Sequence, residues 1–317
     1  MLMILVWLVV FIFSIIVLVR SSDWFTEAAE KIGLWFGLSP FVIGVTIVAF
    51  GTSLPELVSS LFAVSSGATE IVSGNVIGSN IANILLILGI TVIVANNIKI
   101  KHTLIRIDLP ILAASAFILA LTVYDGVFDF FDAIIALSGM VIYLVYLVKN
   151  TKRSHKKDDA KPSVSPIVFV VLVLSGLGIF LGAKFVVDSV LELSKIIGIG
   201  TEVIAVVAVA FGTSLPELAV SISAARKGRA EMAVGNLLGS NIFNTFLVMG
   251  LPALFAVAVG GAGLIIPASL IYFGLPVMLV ASFLFLLMMQ DGKLSRWEGW
   301  FFVLLYVFFV GRTIFFA

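Results

Sequence analysis

The chain has 317 residues, 61% of them hydrophobic and only 12% charged, whereas soluble domains carry about a quarter charged residues, so an ordinary water-facing domain is excluded. A formal net charge of +1 points to neither nucleic acid nor a strongly acidic partner. The absence of cysteine excludes disulfides, thiol catalysis and cysteine metal sites.

Apolar runs between polar breaks predict ten helices, over 1–19, 40–66, 71–95, 104–123, 128–148, 164–187, 201–225, 231–259, 264–289 and 297–316. Many reach the ~20 residues that cross a bilayer core. The first run lacks a basic leading segment and is read as a span rather than a signal peptide. Residues 21–39 continue that helix and then turn, with Gly33 and Gly37 as the interruptions. The longest polar connection, 149–163, contains KRSHKKDDAKPS and reads as a solvated linker.

Internal repetition is the strongest feature. AFGTSLPEL at 49–57 recurs unchanged at 210–218, an offset of 161. At the same offset GNVIGSNIANILLILG (74–89) matches GNLLGSNIFNTFLVMG (235–250), with nine of the sixteen positions identical. Two such blocks at one offset mark a duplication. Each half supplies five spans, an odd number, so homologous halves joined by a short linker enter the membrane in opposite senses. The expected fold is an all-α integral membrane protein of ten transmembrane helices in two inverted five-helix repeats. Residues 1–148 form the first repeat, 149–163 the linker and 164–317 the second.

Charge supports this topology. With the linker in the cytoplasm and sides alternating from it, sixteen of the nineteen Lys and Arg residues fall inside, leaving Lys184, Lys195 and Arg312 outside. That is the positive-inside distribution, and it puts both termini outside.

Of the eighteen acids, only Glu56 and Glu217 lie near the middle of long apolar helices; the others sit in connections or near span ends. An intramembrane carboxylate costs several kcal/mol unless protonated, paired or bound to a cation. No basic residue sits at comparable depth, which leaves a bound cation or a proton. The bland alternative is a protonated glutamate hydrogen-bonded to a neighbouring helix. Thr52 and Ser53 share a helix face with Glu56, and Thr213 and Ser214 share one with Glu217. Pro55 and Pro216 are expected to free the carbonyls of Gly51 and Gly212, breaking the helices there. Carboxylate, hydroxyl and carbonyl oxygens without sulfur or imidazole suit Ca2+ or Na+ rather than zinc or copper.

The second block adds neutral groups. Ser79 and Asn83 lie four apart on one face, as do Ser240 and Asn244; interhelical hydrogen bonding is the competing role for such residues. Asn75 and Asn236 read as groups that cap or order a helix start. Asn80 and Asn241 face either the site or a helix interface. Gly74, Gly78, Gly235 and Gly239 are expected to allow close helix approach.

The paired GTSLPE and GN..GSN...N blocks resemble the α-repeats, here 40–95 and 201–259, of the sodium/calcium exchanger branch of the cation/Ca2+ antiporter superfamily. The resemblance covers essentially the whole chain. It implies that Glu56 and Glu217 coordinate Ca2+ and Na+ by turns, and that Thr52, Ser53, Thr213 and Ser214 add oxygens together with carbonyls near Ala49 and Ala210. Ser79, Asn83, Ser240 and Asn244 would complete the sites, and the first and sixth helices would slide against the rest. A count of three Na+ per Ca2+, which the resemblance also implies, moves net charge and lets voltage bias the cycle. Some relatives carry Asp where this chain has Asn244, so only two formal negative charges remain, which argues against potassium co-transport. The large Ca2+-sensing domains of eukaryotic relatives have no room in the linker.

The expected activity is Na+/Ca2+ antiport by alternating access, by a monomer in the lipid bilayer of a prokaryotic plasma membrane, with no cofactor and no nucleic-acid partner. The runner-up is an H+/Ca2+ exchanger of the same fold, in which the glutamates carry protons. A Ca2+-permeable channel is a further rival, and obligatory counter-ion flux separates it. An intramembrane hydrolase is rejected because His102 and His155 lie in connections, leaving no nucleophile–base pair. Asp125, Asp129 and Asp132 read as caps for the next helix, Glu202 as a first-turn acid, and the last span, with Trp297 and Trp300, as a lipid-facing anchor.

Overall fold

A computed structural model of the protein describes residues 2–100, 102–151, 164–197 and 214–316. The predicted span start 201–213, most of the linker, Glu202 and His155 lie outside the described residues. Among the described residues the first half forms α1 (Leu2–Trp35), α2 (Pro40–Ser65), α3 (Glu70–Ala95), α4 (His102–Thr122) and α5 (Phe130–Thr151). The second half forms α6 (Ile167–Ile197), α7 (Leu215–Arg226), α8 (Ala230–Ala258), α9 (Leu270–Met288) and α10 (Arg296–Phe316). By length and composition α1, α2, α3, α5, α6, α8 and α9 are apolar enough to cross a membrane. The fold is therefore all-helical and multi-pass, with two inverted five-helix repeats.

One expectation about the first helix and one about the sixth need correction. α1 does not turn at Gly33 but runs to Trp35. A side chain at Gly33 would overlap Ile43, so this glycine lets the end of α1 pack on the start of α2. The turn comes at Gly37, whose φ of 81° suits glycine. α6 likewise runs past the expected end at 187, to Ile197. At 34 and 31 residues, α1 and α6 are each roughly 50 Å long at the usual helical rise. That exceeds the ~30 Å hydrocarbon core, so they tilt or project from it.

α1 and α6 pack against each other at the edge of the molecule, closely enough that a Cβ on Gly182 would lie 2.9 Å from the Leu18 amide nitrogen. Their outer faces, including Leu5, Val9, Phe13, Val173 and Leu177, are exposed, as lipid contact requires. α3 and α8 are largely buried and form the centre. α10 is only partly the lipid-facing anchor expected. Trp297 and Phe308 are exposed, but Phe302 and Tyr306 are buried, and a Cβ on Gly299 would lie 2.8 Å from the Gly89 carbonyl oxygen of α3.

Four short strands supplement the helices: β1 (Asn97–Lys99), β2 (Val127–Phe128), β3 (Leu264–Ile265) and β4 (Lys293–Ser295). β1 pairs antiparallel with β4, and β2 with β3. In each pair the connection after the third helix of one repeat meets the connection after the fourth helix of the other. This reciprocal pairing follows the internal two-fold of the duplication and ties the repeats together twice. Within α5, the Asp129 carboxylate accepts from the amides of Phe131 and Asp132 at 2.8 and 3.1 Å, and Asp132 accepts from the Asp129 amide at 3.0 Å. These acids cap the helix, as expected.

Candidate cation site

The site forms where α2, α3, α7 and α8 meet. Proline inside α2 does not break it: the segment Ala49–Ser65 stays helical through Gly51 and Pro55, which corrects the expected break. The irregularity lies one turn earlier, where Gly44–Val48 is wound as a π-helix immediately ahead of Ala49. α3 and α8 carry the same irregularity at symmetry-related positions, Ala82–Leu88 and Asn244–Val248. π-helical turns widen a helix locally and cluster at functional sites; here they hold Asn83 and Asn244. Pro216 stands at the start of α7, with Ser214 as the capping position.

Every described member of the predicted set is buried: Ala49, Thr52, Ser53, Glu56, Ser79, Asn83, Ser214, Glu217, Ser240 and Asn244. Ala210 and Thr213 lie outside the described residues. Contacts cross the repeat boundary. Ser53 Oγ donates to Glu217 Oε1 at 3.4 Å, and Thr52 and Ser240 also lie beside that carboxylate. Thr52 and Ser240 hydroxyls are 3.5 Å apart.

Close helix approach sets these distances. A Cβ on Gly239 would sit 2.6 Å from the Val45 carbonyl oxygen and 2.7 Å from Ala49 Cβ, and one on Gly235 would strike the Phe41 carbonyl. Both glycines thus seat α8 on α2, placing Ser240 beside Thr52. Gly74 and Gly78 show no such contact among the described residues; the segment that corresponds to their partner in α2 is 201–213.

The unpaired atoms define the chemistry. Both Glu56 oxygens, Glu217 Oε2, Ser214 Oγ, Asn83 Oδ1 and both polar atoms of Asn244 are buried without a hydrogen-bond partner among the described residues. Buried polar groups ordinarily find partners, and an unpaired ionised carboxylate is the costliest exception. Six of these atoms are oxygens, on Glu56, Glu217, Ser214, Asn83 and Asn244, the donor type that hard cations take. No cluster of three or more His, Cys, Asp or Glu occurs among the described residues, so this set is built from two carboxylates and neutral groups.

Sequence reasoning missed or misjudged four positions. Asn75 and Asn236 are not helix-start groups: each lies inside its helix and is buried. Asn75 donates to Ser60 Oγ at 3.3 Å and Asn236 to Ser221 Oγ at 3.0 Å. The signal for Ser60 and Ser221 was present, since each follows its glutamate by one turn at the repeat offset. Asn80 and Asn241 sit between α3 and α8: each amide points at the other's backbone carbonyl, at 3.4 and 3.5 Å. Asn241 also accepts from Asn83 Nδ2 at 2.9 Å, leaving Asn83 Oδ1 unpaired. A third buried acid, Asp108 of α4, is held by the hydroxyls of Tyr143 and Tyr146, both at 3.4 Å, and takes no part in the site.

Two inverted repeats around a buried pair of carboxylates define a membrane transporter for hard cations. The family model for sodium/calcium exchanger protein matches residues 6–149 and 167–315, one segment per half. The chain belongs to the sodium/calcium exchanger protein family. It is 34% identical to the sodium/calcium exchanger MaX1 of Methanosarcina acetivorans, over 95% of this chain and 96% of that one. It is 37% identical to an uncharacterized membrane protein of Methanocaldococcus jannaschii, over 94% of each. A solved structure of the sodium-calcium exchanger NCX_Mj superposes with a TM-score of 0.84 at 31% identity, covering 98% of this chain and 99% of that one.

Proposed function

We propose that this chain is a secondary antiporter that exchanges Na+ for Ca2+ by alternating access, with Glu56 and Glu217 binding both ions in turn. The observation that carries this reading is the set of unpaired buried atoms on Glu56, Glu217, Ser214, Asn83 and Asn244. Two carboxylates balance one Ca2+, or hold Na+ with help from neutral oxygens. Because both ions need the same carboxylates, they exclude each other, and competition becomes exchange. Thr52, Ser53, Ser79 and Ser240 supply neutral oxygens in this scheme, with the Ala49 carbonyl. Thr213 and Ala210 are their repeat-related counterparts.

Residues 1–148 and 164–317 act as the two repeats around the site, and 149–163 as a linker on the cytoplasmic face, with both termini outside. The distribution of Lys and Arg supports that orientation, and the plasma membrane is the location that fits it. The duplication places both carboxylate motifs in one chain, so a monomer suffices for the proposed site. The protein performs transport and no covalent chemistry.

The test is Ca2+ uptake into proteoliposomes loaded with Na+ and diluted into Na+-free buffer, beside vesicles carrying only a proton gradient. Uptake driven by outward Na+ is the expected result. Uptake driven by protons alone would transfer the function to H+/Ca2+ exchange on the same fold.

A further inference from the structure

Thr52 has one hydroxyl proton and two lone pairs. To ligate a cation it must aim a lone pair at the ion and send its proton elsewhere. Three acceptors near it are unsuitable. The Ala49 carbonyl at 3.3 Å, the Ser240 hydroxyl at 3.5 Å and the Glu217 carboxylate beside it all belong to the candidate coordination set. A proton given to any of them occupies a lone pair that the ion needs and places a positive hydrogen against the ion.

A fourth acceptor lies outside that set. Asn236 Oδ1 accepts from Thr52 Oγ1 at 3.2 Å. Its amide orientation is fixed from behind, because Asn236 Nδ2 donates to Ser221 Oγ at 3.0 Å. Asn236, Ser221 and Thr52 are all buried, so water does not compete for these bonds. The first repeat carries the same device. Asn75 Nδ2 donates to Ser60 Oγ at 3.3 Å, and Asn75 Oδ1 is buried with no partner among the described residues. That oxygen is the counterpart of the one that receives the Thr52 proton, and Thr213, the counterpart of Thr52, lies outside the described residues.

We propose that Asn236 is a positioning residue: it takes the Thr52 proton so that the hydroxyl oxygen faces the transported cation, with Ser221 locking the amide, and Asn75 and Ser60 form the matching pair. This inference rests on the reading of the site as a Na+/Ca2+ site. The glycine–asparagine pairs of both repeats thereby have a role distinct from coordination: they set the polarity of a ligand they do not replace.

The experiment compares wild type, Asn236→Leu and Asn236→Asp in Na+-driven Ca2+ uptake by reconstituted full-length protein, reading half-saturating ion concentration separately from maximal rate. Leucine removes the acceptor and should raise the half-saturating concentration about tenfold, the usual scale for one mis-set buried hydrogen bond. Aspartate keeps an acceptor oxygen and should restore much of that loss. The leucine substitution is repeated in a Thr52→Val background, where its effect should vanish because no proton remains to be placed. An unchanged half-saturating concentration in Asn236→Leu, an equal defect in leucine and aspartate variants, or an undiminished effect beside Thr52→Val would overturn the proposal. Should Asn236→Leu not insert, Asn236→Ala carries the same three comparisons. Failure of wild type itself to exchange would overturn the underlying reading, an outcome distinct from active wild type with an indifferent Asn236.

Discussion

Ser53 and Glu217 are 164 positions apart in sequence, yet the Ser53 hydroxyl donates to the Glu217 carboxylate at 3.4 Å. The two GTSLPE motifs therefore build one site across the repeat boundary, with the Glu217 carboxylate served by a group of the first half. Ser53→Ala removes the hydroxyl that donates to Glu217 Oε1 from α2. It should raise the half-saturating Ca2+ concentration of exchange about fivefold, in line with the loss of one hydrogen bond to a charged group. A concentration series of Ca2+ uptake measures this directly, and wild-type behaviour would separate the two motifs functionally.

Asn244 places both polar atoms of its amide, buried and with no partner among the described residues, at the end of the repeated GSN block. Asn244→Asp adds a third carboxylate without adding bulk. Ligand charge count is a main determinant of Ca2+ affinity, so the variant should bind Ca2+ about tenfold more tightly and turn over more slowly. Calorimetric titration with Ca2+ checks the affinity. A weaker-binding variant would place Asn244 outside the coordination set.

The seat of α8 on α2 depends on Gly239, where a Cβ would come within 2.6 Å of a backbone oxygen. Gly239→Ala should force the helices apart at a cost of about 1–3 kcal/mol, as overpacking does. The expected readouts are a lowered unfolding temperature in detergent and a weakened contact between Thr52 and Ser240, seen as reduced ion affinity.

The turn between α7 and α8 grips α1. Lys227 Nζ lies 3.0 Å from Glu27 and 3.4 Å from Asp23, Ser223 donates to Asp23 at 2.6 Å, and Arg229 pairs with Glu30. The corresponding turn of the first repeat has Ser66 and Ala68 at the positions of Lys227 and Arg229, so this clasp exists on one face of the molecule. These groups are partly exposed, which limits each pair to about 1 kcal/mol or less. Lys227→Ala should therefore raise amide hydrogen exchange in the second half of α1 by up to about fivefold while leaving α3 unaffected. Equal protection of α1 in both proteins would show that the clasp contributes nothing.

Much of this molecule was legible in its sequence because a bilayer writes long apolar runs. Most described span boundaries followed from hydrophobicity to within a few residues, the end of α6 at Ile197 being the largest departure, and the duplication implied the inverted plan. Glu56 and Glu217 stood out because carboxylates are costly at that depth. Local backbone geometry was less legible. The prolines suggested breaks at Gly51 and Gly212, yet α2 passes Gly51 unbroken and yields instead through π-helical winding at Gly44–Val48. A π-turn depends on how neighbouring helices crowd the segment, which a single apolar run does not encode. Asn75 and Asn236 were misread as helix-start groups for a similar reason: their partners, Ser60 and Ser221, lie fifteen residues earlier on another helix. The strand pairs escaped notice because each is only two or three residues long and is closed by a segment from the other repeat.

The most direct test of shared carboxylates is equilibrium Ca2+ binding to the purified protein during a Na+ titration, in wild type, Glu56→Gln and Glu217→Gln. Wild type should release Ca2+ as Na+ rises, and each glutamine variant should bind Ca2+ at least about a hundredfold more weakly, the scale of a lost buried charge pair. Ca2+ that stays bound at saturating Na+, or that binds either variant with wild-type affinity, would contradict a single pair of glutamates serving both ions.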